Sequence, residues 1–298
     1  MTVGRTEARH WAAEGLELRA TTEILKLLVD GQVAAAQSVA EAMTDIADGA
    51  AAMAESIEAG GRLIYVAAGS SGLMALADAL ELPGTYAIPR DRIVILLAGG
   101  LDALVDMTGG PEDDGHAGRT EIEALGLDRR DCVLALTASG KTPYPLEALK
   151  AAKAAGARTI GFSNNPQTSI LAEAEFPICL PTPEEVIAGS TRMGAATAQK
   201  IALNMLSTLM AIHLGHVHDG FMVNVVADNA KLKLRARGIV AAIAGTDEAQ
   251  AAEALDTSNG AVKPAVLLAA GAKNLAAADA LLEAHRGRLR PALAELRR

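Results

Sequence analysis

The segment Ala138–Tyr144 reads ASGKTPY and directly follows an apolar run, Asp131–Thr137. Hydroxyl side chains, a glycine and a lysine at the end of a buried strand are typical of a loop that binds an anion. A second loop of this kind, Gly69–Gly72 (GSSG), follows the apolar run Gly61–Ala68. Two such loops indicate a phosphate site, although either loop alone could be an ordinary turn from a strand into a helix.

These loops do not match the common nucleotide-binding motifs. The glycine that begins a Walker A motif is missing before SGKT, and no GxGxxG follows the first apolar run. The sequence therefore favours a small phosphorylated ligand over a nucleotide.

The apolar runs alternate with helical patterns, which is typical of an α/β fold with a parallel sheet whose strands are buried on both faces. We expect a doubly wound parallel sheet of five strands flanked by helices. The carboxyl ends of its strands would form the ligand-binding edge, because ligands of open α/β sheets bind there. The predicted strands are Gly61–Ala68, Arg92–Ala98, Asp131–Thr137, Arg158–Ser163 and Glu175–Leu180.

Helical patterns occupy both ends of the chain and predict three parts. Residues 1–58 form an N-terminal helical segment with helices over Ala8–Leu28 and Gln32–Glu58. Residues 59–228 form the domain that carries the sheet, including a long helix over Ser190–His213. Residues 229–298 form a small C-terminal helical subdomain.

Composition limits the partners and the location. The chain has 298 residues, half of them apolar, and a net charge of −9 without a sustained basic run, so nucleic acid is not expected as a partner. Its longest uncharged stretch, Ile201–His218, is too polar to span a membrane, and the first residues lack the apolar core of a secretory signal. Cys132 and Cys179 lie in strand-like runs and lack metal-ligand spacing. We expect a cytoplasmic protein.

Two carboxylates are candidates for acid–base chemistry. Glu81 lies where the first helix of the sheet domain is expected to stop against Pro83, and Glu112 lies in the loop GGPEDDG beyond the second strand. By themselves these residues would be interpreted as a surface acid at a helix end and an acidic turn.

The motifs taken together carry a family resemblance. GSSG followed by DALELPGTY, then LLAGG, GGPEDDG, ASGKTPY, SNNP and EEVIAGSTRMGAATAQK resemble the N-acetylmuramic acid 6-phosphate etherases. The resemblance begins at Thr6–Arg9 and reaches Lys263–Leu293, so it covers nearly the whole chain. Its most specific parts are GSTRM at Gly189–Met193 and TAQK at Thr197–Lys200.

The resemblance implies the sugar isomerase (SIS) fold and a lyase that removes the lactyl group from C3 of N-acetylmuramic acid 6-phosphate. It implies Glu81 as the acid that protonates the departing ether oxygen and Glu112 as the base that removes the proton at C2. No metal and no other cofactor are expected, because two carboxyls in different protonation states can perform this elimination. The implied contacts to the sugar phosphate are Ser70, Ser71, Ser139, Gly140, Lys141, Thr142, Asn165, Glu185, Ser190 and Thr191.

Some positions depart from the family pattern and leave alternatives open. Leu73 and Gly194 stand where the family usually has cations, which leaves open a substrate without the lactyl carboxylate. Other SIS proteins are aldose–ketose isomerases or non-catalytic sensors of sugar phosphates, and these are the alternative functions. A homodimer with a shared active site is expected, because the helix Thr191–His213 is apolar and the family typically pairs its SIS domains. His213, His216 and His218 are interpreted as a polar helix end rather than a metal site.

Overall fold

A computed structural model describes residues 4–106 and 108–298 of the chain. The chain forms two compact units, one of Met1–Leu80 with Asp91–Ser207 and one of Glu81–Arg90 with Thr208–Arg298. The first unit carries the large sheet, and the second is mainly helical. The division into 1–58, 59–228 and 229–298 stays a prediction.

The first unit contains the expected sheet of five parallel strands, with the order β2-β1-β3-β4-β5. Every residue of the central strands β1 and β3 is buried, which explains why these strands are continuous apolar runs. The sequence prediction of a doubly wound parallel sheet is confirmed. The strands are β1 Leu63–Ala67, β2 Ile93–Leu97, β3 Cys132–Leu136, β4 Arg158–Ser163 and β5 Phe176–Cys179.

Helices cover both faces of the sheet. On one face, Ile64 and Val66 of β1 pack in one cluster with Tyr144 and Leu149 of α6. On the other face, Gly49 of α2 lies so close to α8 that an added β-carbon would be 3.1 Å from Leu206 Cδ2. The helices up to α8 are α1 Thr21–Ser38, α2 Met43–Glu58, α3 Gly69–Tyr86, α4 Ala103–Asp106, α5 Gly115–Ala124, α6 Pro143–Ala154, α7 Ser169–Glu173 and α8 Gly194–His213.

The first predicted helix is misplaced. The expectation was a helix over Ala8–Leu28, but the structure forms turns before Ala20 and begins α1 at Thr21. Gly15 has a left-handed backbone (φ +63°), which ends the preceding turn and prevents a continuous helix. The helix α1 then continues to Ser38. It passes through Gly31, where the sequence had predicted a break between two helices.

The structure also corrects two helix ends near the candidate site. The helix α3 does not stop at Pro83 but continues to Tyr86. A proline inside a helix removes one hydrogen bond to the carbonyl four residues earlier, and the flanking turns here hold the helix together. The helix α8 begins at Gly194, because Ser190–Met193 form successive turns instead of helix.

The second unit has a hydrophobic core of its own, in which Val240, Val266 and Ala292 are fully buried. The helices of this unit are interrupted at Gly245, Ser258–Gly260 and Gly271, and Gly245 ends α9 with a left-handed backbone (φ +73°). Within the described residues, no helix is both long and apolar enough to cross a bilayer. The remaining elements are the hairpin of β6 Val217–His218 and β7 Phe221–Met222, and the helices α9 Ala230–Ala244, α10 Glu248–Thr257, α11 Val262–Ala269, α12 Leu275–Ala284 and α13 Leu289–Leu296.

Candidate active site

A cleft of about 330 Å³ lies at the carboxyl ends of the first unit's strands and brings together half of the predicted site residues. The loop after β1 contributes Ser70 and Ser71, and the loop after β3 contributes Ser139 and Thr142. Glu112 and Thr191 reach the same cleft from two other segments. The sheet edge therefore holds hydroxyl groups and a carboxylate in one cavity.

Three hydroxyl groups at the end of β3 form a cluster. Thr137 Oγ1 lies 2.7 Å from Thr142 Oγ1 and 3.1 Å from Ser139 Oγ. Backbone N–H groups of Gly140 and Lys141 donate to Thr137 Oγ1 and Ser139 Oγ, respectively. Each hydroxyl has one O–H donor, which here can serve a neighbouring hydroxyl, so an anion would bind by turning these O–H groups from one another toward itself.

Helix geometry adds backbone donors to the cleft. Ser70 and Ser71 lie in the first turn of α3, where N–H groups have no partner within the helix. Thr142 precedes the first residue of α6 and makes no capping hydrogen bond with its side chain, which joins the hydroxyl cluster instead. The positive ends of two helix dipoles thus meet hydroxyl donors, a favourable environment for a phosphate.

Glu112 lies on the short 3₁₀ helix Gly110–Asp113 and faces the start of α3. A β-carbon built on Gly69 would lie 2.6 Å from Glu112 Oε1, so the carboxylate packs directly on the glycine backbone. Burial raises the pKa of the Glu112 carboxyl above its ordinary value of 4.5, and the nearby Asp113 carboxylate raises it further. The raised pKa makes Glu112 a stronger base than an ordinary glutamate.

The predicted lysine lines a neighbouring cavity of about 340 Å³ instead of the cleft itself. Lys141 shares that cavity with Ser139, Asn165 and Arg5. Two cations thus lie in this cavity together with the carboxylate of Glu7, so positive charge stands close to the hydroxyl cluster in a chain whose net charge is −9.

Two predicted contact residues have structural partners. Gly140 is buried with a left-handed backbone (φ +72°), and an added β-carbon would collide with Thr168 and Ser163. The Asn165 amide donates to Thr6 Oγ1 and to the Ala138 carbonyl, both at 3.0 Å. These contacts fix the loops after β3 and β4, whether or not the residues also meet a ligand.

Glu185 is buried at the start of α8, where its carboxylate accepts the backbone N–H groups of Gly194 at 3.0 Å and Ala195 at 2.8 Å. A β-carbon on Gly194 would lie 3.0 Å from Ala35 Cβ and 3.2 Å from Glu185 Oε2. In this chain the N-terminus of α8 is therefore satisfied by an internal carboxylate, and little room remains for a larger side chain at position 194.

Three further positions are not among the residues that line the cleft. Glu81 is exposed on α3 and belongs to the second unit. Leu73 is exposed on the same helix, within the first unit. Ser190 is half-buried, and its backbone N–H donates to the Ile187 carbonyl.

The histidines do not form a metal site within the part of the chain that the structure describes, where no group of three or more His, Cys, Asp or Glu side chains is suitably placed. His213 ends α8, and His218 lies on β6 with Nε2 3.5 Å from Asp219 Oδ2. Burial and the Lys263 ammonium lower the pKa of His216 to about 4, so this imidazole is neutral at pH 7. Lys263 in turn donates to the Gly287 carbonyl at 2.7 Å.

Among the residues that line the cleft, sequence reasoning missed two polar side chains, those of Thr137 and Glu7. Thr137 was assigned to the strand, although its hydroxyl directly precedes ASGKTPY and could have been counted with that loop. Glu7 lies in Thr6–Arg9, where the family resemblance begins, but nothing in that short segment indicated that the fold brings it to the sheet edge.

Comparison with known proteins agrees with this architecture. A family model described as the SIS domain matches residues 31–164, and another of the same description matches residues 117–214. A phosphoheptose isomerase from Francisella tularensis has a similar fold, with a TM-score of 0.51 and 19% identity over 65% of this chain and 100% of that chain.

Two curated relatives match over most of their length. An N-acetylmuramic acid 6-phosphate etherase 1 from Bacillus licheniformis is 39% identical over 288 residues, which cover 97% of this chain and 95% of the relative. An N-acetylmuramic acid 6-phosphate etherase from Deinococcus radiodurans is 41% identical over 264 residues, covering 89% of this chain and 87% of the relative. Identity at this level over nearly the full length confirms the resemblance seen in the motifs, and the chain belongs to the N-acetylmuramic acid 6-phosphate etherase family.

Proposed function

We propose that this protein is a carbon–oxygen lyase that cleaves the C3 lactyl ether of N-acetylmuramic acid 6-phosphate. The products are N-acetylglucosamine 6-phosphate and D-lactate. The observation that carries the proposal is one cleft in which Glu112, with a raised pKa, lies beside hydroxyl groups at the N-termini of α3 and α6. A phosphate cradle with a base next to it fits proton abstraction from a phosphorylated sugar.

The reaction begins with removal of a proton from C2 of the open-chain sugar, where the C1 aldehyde makes that proton acidic. Glu112 takes this proton to leave an enolate, whose electron pair then forms the C2–C3 double bond when the bond from C3 to the ether oxygen breaks. A carboxylic acid, assigned to Glu81 by the family motif DALELPGTY, protonates the departing oxygen. Water then adds at C3, and C2 regains a proton, which gives the product sugar.

The phosphate is the part of the substrate that the cleft recognises most clearly. Ser139, Thr142 and the first turn of α3 supply donors, and Lys141 adds positive charge from the neighbouring cavity. Hydrogen bonds to a charged group contribute about 1.5–3 kcal/mol each, so several of them would make binding depend on the phosphate.

The decisive experiment is incubation of the purified protein with N-acetylmuramic acid 6-phosphate and with the unphosphorylated sugar. We expect release of D-lactate and formation of N-acetylglucosamine 6-phosphate only from the phosphorylated compound. Proton NMR and the mass of the product detect both compounds. Conversion of an aldose phosphate to a ketose without lactate release would instead support an isomerase.

A homodimer is part of the proposal, with a different supporting surface from the one that the sequence pointed to. Leu203 and Leu206 of α8 are fully buried within the chain, so this part of α8 needs no partner to cover it. The apolar side chains Leu25, Val29 and Val33 recur every four residues along α1 and are half-exposed or more. Light scattering should give about twice the 30.6 kDa of one chain, and an active species of one-chain mass would refute the dimer.

The cytoplasmic location stays a prediction that cell fractionation can test.

A further inference from the structure

The segment Gly4–Glu7 is held across the carboxyl edge of the sheet by hydrogen bonds to distant loops. The carbonyl of Thr6 accepts the Gly189 N–H at 3.0 Å, and Thr6 Oγ1 accepts the Asn165 side-chain amide at 3.0 Å. Thr6 is only 1% exposed, so this short segment is anchored in the fold instead of extending into solvent. All four of its residues line the 340 Å³ cavity.

Anchoring of Thr6 places the next residue, Glu7, between the two cavities. Glu7 and Ser139 both line the 330 Å³ cleft with Glu112 and the 340 Å³ cavity with Lys141. A β-carbon on Gly189 would lie 3.1 Å from Glu7 Oε2, so the carboxylate rests against the GSTRM loop.

The carboxylate of Glu7 is also free to bind a ligand. Across residues 4–106 and 108–298, no hydrogen bond or ion pair to another protein group engages its side chain. An ionised carboxylate only accepts hydrogen bonds, and it repels a phosphate or a second carboxylate. The ligand group that faces Glu7 must therefore be a hydrogen-bond donor, and the donors of an amino-sugar phosphate are its hydroxyls and its acetamido N–H.

We propose that Glu7 is a specificity-determining residue, which accepts a hydrogen bond from a hydroxyl or from the acetamido N–H of the bound amino-sugar phosphate. This inference rests on the proposed function for the identity of the ligand. It assigns to the N-terminal segment a direct role in choosing the sugar, while the hydroxyl cluster recognises the phosphate.

The test measures binding by calorimetry with two probes, N-acetylglucosamine 6-phosphate and inorganic phosphate. In Glu7→Ala, we expect affinity for the sugar phosphate to fall about 10- to 100-fold, since a hydrogen bond to a charged group is lost. Affinity for inorganic phosphate should stay the same or rise, because a nearby negative charge is removed. Glu7→Gln should lose less than Glu7→Ala, since its amide oxygen still accepts a hydrogen bond.

The matched control is Glu17→Gln, which alters an exposed glutamate of the same N-terminal region that is not among the residues lining either cavity. It should bind both probes like the wild type. An equal loss of affinity for both probes in Glu7→Ala would overturn the inference, because it would show that the cleft had merely been disrupted. Unchanged binding of the sugar phosphate would overturn it as well.

The binding test does not depend on turnover, so it separates this inference from the proposed lyase activity. If the wild type binds the sugar phosphate but releases no lactate from the muramic acid derivative, the lyase proposal fails and Glu7 is still tested. In an active enzyme, Glu7→Ala should raise KM with a smaller change in kcat. A loss confined to kcat would contradict a role in choosing the sugar.

Discussion

The carboxylate of Glu112 lies directly against the backbone of Gly69, where an added β-carbon would be 2.6 Å from Glu112 Oε1. Gly69 also has a left-handed backbone with φ +51°, which glycine adopts without strain. The first residue of α3 therefore fixes the position of the candidate base, so the GSSG loop has a structural role besides the phosphate contacts proposed for it.

The variant Gly69→Ala tests this contact. We expect lactate release and exchange of the C2 hydrogen to fall at least about 100-fold, because the base is displaced from the carbon that it must reach. Gly126→Ala is the control, since Gly126 has a similar backbone (φ +56°) and open space around it. It should lose comparable stability in thermal unfolding yet keep its activity, and a similar loss of activity in both variants would contradict the positioning role.

The roles of the two carboxylates can be separated by hydrogen exchange. Glu112→Gln should abolish exchange of the C2 hydrogen with deuterated solvent, because that step requires only the base. Glu81→Gln should block lactate release but leave some exchange, since the enolate can form and be reprotonated. Each role is expected to contribute about 10²–10⁴-fold to the rate.

Proton NMR in deuterated water follows the C2 and lactate signals separately in both variants. If Glu81→Gln abolishes C2 exchange and Glu112→Gln blocks only lactate release, the two roles are reversed, but the elimination mechanism still holds. Near wild-type lactate release by both variants would refute the mechanism.

The pKa of Glu112 predicts the acidic limb of the pH profile. Burial raises this pKa, so a larger fraction of Glu112 is protonated at a given pH and cannot act as a base. Activity should thus be lost, as pH falls, at a higher pH than an ordinary glutamate would give, and kcat/KM reports this for the free enzyme.

The Asp113 carboxylate also raises the pKa of Glu112, so removal of the Asp113 charge should lower that pKa. In Asp113→Asn, the acidic limb of kcat/KM should move to lower pH. Asp48→Asn, which alters an exposed aspartate on α2, should leave the limb in place. A limb that does not respond to Asp113→Asn would mean that another group controls it.

The hydroxyl cluster predicts a strict need for the phosphate. Ser139→Ala and Thr142→Ala should each raise KM about 10- to 100-fold, because each removes a hydrogen bond to a charged group. Thr120→Ala, at an exposed position on α5, is the control and should have the KM of the wild type. Equal turnover of phosphorylated and unphosphorylated sugar by the wild type would contradict the assignment.

The sheet could be predicted from sequence because its central strands are buried on both faces and appear as apolar runs. The strand Arg158–Ser163 has the bounds that the sequence indicated, and the other strands differ by one or two residues at their ends. The helix boundaries were harder. A left-handed Gly15 and a tolerated Pro83 depend on local backbone geometry that residue types alone do not determine.

Residues of the cleft could be predicted where one loop contains both the strand end and the hydroxyl side chains, as in ASGKTPY. Contacts between distant segments could not be predicted in this way. Asn165 bonds to Thr6, 159 positions earlier in the chain, and the buried Glu185 bonds to the N-terminus of α8. Both residues were expected to contact substrate, and that role stays a prediction beside the contacts that they make within the fold.

Asp78, three residues before Glu81 on α3, is a buried carboxylate with three hydrogen-bond donors. Tyr65 Oη donates to Oδ2 at 3.0 Å, while Asn204 Nδ2 and Ser207 Oγ donate to Oδ1 at 2.8 and 2.9 Å. Burial raises the pKa of Asp78, and these hydrogen bonds oppose the rise without cancelling it. The network ties α3 to β1 and to α8.

Because the pKa of Asp78 is raised in the folded state, the free energy of unfolding must depend on pH in a direction that proton linkage determines. The folded state binds this proton more tightly than the unfolded state, so the contribution to stability is present at low pH and is lost as pH rises through the folded pKa. In Asp78→Asn the amide oxygen can accept from Asn204 and Ser207, and the amide nitrogen can donate to Tyr65. The free energy of unfolding should therefore fall less between pH 4 and pH 7 in this variant than in the wild type.

Urea unfolding at a series of pH values measures this difference, and Asp78→Ala supplies the contrast. The alanine leaves three buried polar groups without their partner, so we expect a loss of about 2–5 kcal/mol at every pH. Equal pH slopes in the wild type and Asp78→Asn would show that Asp78 stays ionised throughout the range.

Because α3 carries both Asp78 and Glu81, Asp78→Asn should also keep C2 exchange and lactate release close to wild type, whereas a loosened helix in Asp78→Ala should reduce lactate release more than exchange.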